Sequence, residues 1–253
     1  MARVLLLPPR TAPPDEVFAR RHSPPAIGKS YAVFRSCLRW EFGFTCVICL
    51  LHECDIIGWC GVEGWGVTQV EHIVPQSHDD RLVGDYSNLL YVCKLCNGAR
   101  SDTEREDGQG RRLLDPTRDV WSQHFTLQGD ELVHAPDDRH AAYTAEVYNI
   151  NDARKIRLRR ERRECMQALL AEVSAEHHEL ARLVEVSRRA DQDSLGDTAA
   201  ALASLQARLA RLGARSARQA WVPEDAPGDC RCERPQARTL PRCFARQCVP
   251  ISL

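Results

Sequence analysis

Four cysteines in two Cys-x-x-Cys pairs, Cys46/Cys49 and Cys93/Cys96, enclose an acid-histidine dipeptide, Glu71-His72, together with Asn88; Asn97 follows the last cysteine directly. Two residues between ligands let a tight turn present both sulfurs to one tetrahedral ion, and four thiolates close a structural zinc site. A closed site does no chemistry. It contributes folding free energy, on the order of 10–16 kcal/mol in small zinc modules. The competing account, buried or redox-active cysteines, would make the two matched spacings a coincidence.

A histidine that titrates near neutrality can take a proton from water, and a carboxylate beside it can hold a hard divalent cation. By themselves, Glu71 and His72 also describe a surface glutamate next to a structural histidine. Asn88 precedes the apolar run Leu89-Leu90-Tyr91-Val92-Cys93, and Arg100 lies three residues after Asn97. An amide oxygen can complete a metal shell, and an arginine can clamp a phosphate. Taken singly, Asn97 equally fits a helix cap and Arg100 a solvated charge.

The elements that must position these groups follow from periodicity. Gly66 to Pro75 alternates as a strand. Neighbouring strand residues face opposite ways, so Glu71 and His72 can serve one site only if the strand ends or twists there. Pro75 and the polar run after it point to such an end. Leu89 to Cys93 is a second strand, followed by a helix with Asn97 in its first turn that runs to about Glu106, which puts Arg100 on the face of Asn97. Tyr31 to Phe42 carries apolar residues at helical spacing and ends at Gly43. Leu50 to Trp65 is a packed insert in which His52, Cys54 and Cys60 serve as core residues rather than ligands. His78 falls in a polar loop. His124–Leu127 and Glu131–His134 form a hairpin around Gln128-Gly129-Asp130. His124, His134 and His140 share no ligand spacing. Tyr143 to Asn151 is a short helix.

Together, Cys46-x-x-Cys49, Glu71-His72-Ile73-Val74-Pro75, Asn88-Leu89 and Cys93-x-x-Cys96-Asn97 resemble the HNH endonucleases, the ββα-metal nucleases with an added zinc. The close likeness covers about sixty residues, with a looser one back to Arg39-Trp40-Glu41-Phe42-Gly43 and forward to about Arg160. The resemblance implies an α+β fold, a zinc-stapled ββα-metal core with flanking helices. It implies metal-dependent hydrolysis of DNA phosphodiester bonds, leaving a 5′-phosphate. His72 stands at the general base, Glu71 and Asn97 at the ligands of one catalytic divalent metal, and Asn88 at the residue that holds the loop orienting the histidine. Arg100 adds a second positive contact to phosphate. Three positions depart from the commoner pattern: Glu71 replaces Asp, Asn97 replaces His and Arg100 replaces Lys. The neutral amide of Asn97 favours Mg²⁺ or Mn²⁺ over softer ions. Two other readings remain open: a zinc-stabilised nucleic-acid-binding module without catalysis, and a scaffold whose C-terminal helices do the work.

The chain has 253 residues and a net charge of −1, so any nucleic-acid contact needs a local basic surface. Its expected partner is DNA, with RNA left open. Twelve cysteines show no secreted disulfide framework. Val4 to Leu7 is too short for a signal segment, no run reaches a membrane span, and the expected location is cytoplasmic. The expected organisation is a Pro-rich leader at 1–28, the nuclease domain with its zinc site at 29–150, a basic helix and helical hairpin at 151–221, and a disordered tail at 222–253. From Ala153 to about Ala190 a long helix begins with Arg154, Lys155, Arg157, Arg159, Arg160, Arg162 and Arg163. This cluster reads as a phosphate-backbone contact or as a solvated face partnered by Glu161 and Glu164. Thr198 to Leu212, capped by Gly213, is the second arm of an antiparallel hairpin, with an apolar stripe that can pack on itself, on the core or on a second copy. Cys230, Cys232, Cys243 and Cys248 of the tail have poor zinc spacing.

Overall fold

Strands Thr68–His72 and Leu89–Cys93 pair antiparallel, with His72 opposite Leu89 and Thr68 opposite Cys93. Both lie where alternation and β-rich composition put them. The second strand is buried along its whole length, and helix Lys94–Arg100 follows it without a loop. Strand, strand and helix thus form one continuous unit around the residues singled out above. The computed structural model describes residues 5–6, 13–20, 26, 31–53, 55–56, 68–189, 195–219 and 249–250. The insert cysteines Cys54 and Cys60, the tail cysteines, and most of the leader and tail lie outside these residues.

Tyr31–Phe34 and Arg35–Glu41 form a 3₁₀ turn running into an α-helix, matching the expected Tyr31 to Phe42 segment. Phe34, Leu38 and Phe42 are buried in the core shared with the paired strands. Gly43 at φ 64 and Phe44 at φ 55 then turn the chain into the first cysteine pair. The hairpin is Phe125–Gln128 with Glu131–His134, closed by Gly129 and Asp130 with Gly129 at φ 61, where a glycine is unstrained. A short helix, Trp121–His124, precedes it. The architecture is therefore mixed helix and small antiparallel sheets, an α+β fold.

Three boundaries differ from the sequence expectation. Helix Lys94–Arg100 starts earlier and stops sooner, because Cys93 caps it through its sulfur and Ser101 takes a left-handed φ of 49. Asn97 is consequently an interior residue, not a cap. Helix Arg139–Val147 lies upstream of the expected Tyr143 start because Asp138 caps it, accepting from the Ala141 amide. Helix Leu195–Gln219 runs through Gly213; an interior glycine costs only about 1 kcal/mol.

The chain divides into two compact units. Arg10–Glu161 contains the strands, the hairpin and the first turns of the long helix Ala153–Arg189. The division at Glu161, rather than before the helix, has a local cause: Lys155, Leu158 and Arg159 are all buried. In the other unit Met166, Leu169, Val173 and Leu212 form a small apolar cluster, and Arg208 bridges Glu176 at 2.8 Å. That unit also contains a two-residue ladder between Leu5–Leu6 and Val249–Pro250. No helix among the described residues is long and apolar enough to cross a membrane.

Candidate metal centre and active site

The two cysteine pairs are built by different local devices and converge. Around the first, the Cys46 amide donates to Leu51 O and the Leu50 amide to Cys46 O, both at 2.9 Å, while the Val47 amide donates to Tyr91 O at 3.1 Å and ties the turn to the second strand. In the second, Cys93 ends the strand and Cys96 sits one helical turn on, its amide donating to the Cys93 sulfur at 3.4 Å. All four thiols are fully buried, and their Sγ atoms lie within 4.8 Å of one another. Four convergent thiols in a dry pocket are the donor set of a tetrahedral metal site such as one for zinc. None of them faces the cavity described next.

That cavity, about 480 Å³, is lined by Glu71, His72 and Asn97, with Tyr31, Gln76, Ser77, Ser101 and Asp102 among its other walls. Glu71 and His72 share it although they are sequence neighbours. The reason is the strand end: His72 is the last strand residue, and the Glu71 carboxylate curls back so that Oε1 accepts the His72 amide at 2.8 Å. Glu71 is 7% exposed, and Oε2 is buried with no hydrogen-bond partner. Burial pushes the carboxyl above its usual range, with Asp102 adding to the rise, despite the opposing pull of Arg100 and the His72 amide. A cation at Oε2 would supply the missing partner and favour the ionised form.

His72 meets Val83 O through Nε2 at 3.0 Å. A carbonyl can only accept, so the proton sits on Nε2 and the lone pair on Nδ1. Gln76 donates to Nδ1 at a long 3.4 Å. Tyr31 packs edge-on against the ring at 4.6 Å. Burial lowers the imidazole pKa below its ordinary 6.5, against the Val83 bond and with help from Arg100, so the neutral, basic form prevails at neutral pH.

Asn88 does not touch the histidine; it braces the loop that does. Its Oδ1 accepts the Val74 amide at 2.8 Å, and its Nδ2 donates to Val74 O at 3.1 Å and Leu82 O at 3.2 Å. Leu82 precedes Val83, whose carbonyl fixes the ring. Asn97 spends its amide nitrogen on Gln69 Oε1 at 2.6 Å, which leaves its oxygen as the ligand-type atom.

Arg100 departs from the sequence expectation. It is 1% exposed and is not a wall of the cavity. Its Nη1 donates to Glu71 Oε1 at 3.0 Å and to His72 O, and its Nη2 donates to Ile73 O at 2.7 Å. Its guanidinium is spent on these acceptors beneath the strand end rather than open to the cavity. No family model, curated protein or solved structure matches this chain.

The basic start of the long helix also resolves into distinct jobs. Lys155 and Arg159 are buried, whereas Arg154, Arg157 and Arg160 are exposed and paired with Asp152, Glu161 and Asp130. His78 is exposed and lies off the cavity. His124 is held by Asp138 at 2.7 Å. Sequence reasoning missed Asp102, an exposed carboxylate at the cavity mouth. Its signal was an acid two residues past the last helical residue of the Cys96-Asn97 segment.

Proposed function

We propose that this chain is a metal-dependent endonuclease of HNH type that hydrolyses DNA phosphodiester bonds. The observation that carries this reading is the meeting, in one cavity, of an imidazole whose lone pair is held on Nδ1 and a buried carboxylate oxygen lacking a partner. His72 Nδ1 removes a proton from a water molecule in the cavity. Val83 O and the Asn88 brace keep that nitrogen, rather than Nε2, as the base. Glu71 Oε2, the Asn97 amide oxygen and Asp102 would hold a hard divalent cation, Mg²⁺ or Mn²⁺ by their all-oxygen character. When bound, that cation would stabilise negative charge on the phosphate and the departing 3′ oxygen. Arg100 keeps Glu71 aimed. The four cysteines hold a zinc ion that fixes strand and helix without taking part in the chemistry. Arg154, Arg157 and Arg160, whose side chains are exposed, supply a surface for the DNA backbone, since screened surface ion pairs are weak and yield to phosphate.

The test is nicking of plasmid DNA with Mg²⁺ or Mn²⁺ by wild type and His72→Ala. The variant should lose roughly 10²–10⁴-fold in rate with its zinc content unchanged. Equal cleavage by the two proteins would remove His72 from the mechanism. Salt-dependent binding without cleavage by wild type would leave a zinc-stabilised nucleic-acid-binding module.

A further inference from the structure

Two basic side chains, Lys155 and Arg159, are buried within electrostatic reach of the cysteine cluster. Lys155 is 1% exposed, and its ammonium donates to Tyr148 O at 2.7 Å and Asn149 O at 2.9 Å. Carbonyls satisfy its hydrogens but not its charge. Among the described residues it makes no hydrogen bond to a carboxylate, and the nearby Asp152 is engaged by Arg154 at 2.8 Å. Arg159, one turn further along, is 4% exposed. Its guanidinium donates to Asp130 O, to Asn151 Oδ1, to Ile150 O and, at 3.4 Å, to the carbonyl of Cys49 itself. An ammonium left without countercharge in such a place is strongly destabilising.

We propose that Lys155 and Arg159 are the counter-ions of a dianionic metal-tetrathiolate centre at Cys46, Cys49, Cys93 and Cys96. A divalent ion on four thiolates carries exactly the opposite charge to the two side chains together, whereas four neutral thiols carry none. The cysteines pull the pKa of both side chains upward, against burial. Burial works to lower the Lys155 pKa, but the surrounding cysteines outweigh it and the net shift is upward; for Arg159 burial wins, with Cys49 and Cys96 opposing. The charge of the metal centre thereby favours the seated position of the first turns of the long helix. The same ion that staples the strands also seats Ala153 to Glu161 against them.

Zinc affinity, measured by competition with a chromophoric chelator on the full-length reduced protein, tests this without reference to catalysis. Lys155→Met is expected to weaken zinc roughly 10–100-fold, as loss of a supporting partner does at other metal sites. Lys155→Arg should retain most of the affinity. Leu158→Ala, a buried neighbour on the same helix, should lower the melting temperature and leave the affinity near that of wild type. A second readout separates charge from packing: Lys155→Met should destabilise the zinc-loaded protein yet stabilise the stripped one, where the ammonium has lost its countercharge. Unchanged affinity in Lys155→Met overturns the proposal. So does an equal loss in Leu158→Ala, or equal destabilisation of the loaded and stripped forms; if the stripped protein does not fold, the competition decides.

Discussion

Arg100 Nη1 and Glu71 Oε1 lie 3.0 Å apart in the interior, with the guanidinium 1% exposed and its other contacts made to the strand-end carbonyls of His72 and Ile73. The pair does two things. It opposes the rise that burial imposes on the Glu71 carboxyl, and it ties that carboxylate to the strand-end carbonyls beside the cavity. Removing one partner of a buried pair leaves the other charge exposed to the low-dielectric interior. Arg100→Met should cost about 3–5 kcal/mol in urea denaturation. Arg100→Lys should recover part of this, since an ammonium can reach one or two of the three acceptors but not the planar set.

Asn88 acts on His72 through the loop between the strands. Replacing it with Ala would strand the Val74 amide and two carbonyls, at a cost of about 1–3 kcal/mol for each buried group left unsatisfied. Nicking activity should fall while zinc content stays. Asn88→Asp should do no better, because it keeps the acceptor for Val74 N but loses both donors to Val74 O and Leu82 O. Zinc analysis and plasmid nicking on the same samples check both outcomes.

The lowered pKa of His72 sets a pH dependence with a definite sign. Below 6.5 the unfolded chain takes up a proton that the folded ring refuses, so this residue's contribution to stability is lost as pH falls from 6.5 through the folded pKa. The basic form of the ring survives in that same window. The acid limb of kcat/KM should therefore lie below the ordinary imidazole value, and a limb above 6.5 would contradict a buried, neutral base.

What the sequence made legible was local. Two Cys-x-x-Cys turns, alternating strands and a histidine at a strand end are written in spacings of a few residues, and the structure brings them together. The Arg100 role was not legible, because its three acceptors lie 27 to 29 residues away and helical spacing cannot say which face is covered. The same holds for Lys155 and Arg159, which look like any other members of a basic run until the chain folds them inward. The alternative of Asn97 as a cap fails because the cap is a cysteine sulfur, a group absent from the usual capping residues. The early start at Arg139 was readable in principle from Asp138, but two adjacent aspartates leave the choice of cap to tertiary context.

Cys93 concentrates the most structure in one side chain, which makes it the sharpest probe of the metal centre. It closes the second strand opposite Thr68, caps helix Lys94–Arg100 through its sulfur and belongs to the four-thiol cluster. Cys93→Ser can still cap a helix, as serine does well, and keeps nearly the same volume. It cannot serve as a soft thiolate ligand. Any large loss of stability in this variant therefore measures the metal site rather than the cap or the packing. The melting temperature should fall by an amount similar to that produced by stripping wild type with a chelator, and adding chelator to Cys93→Ser should then change little. If the variant melts like zinc-loaded wild type, the cluster contributes no more than four buried thiols would, and the seating of the long helix on it loses its basis as well.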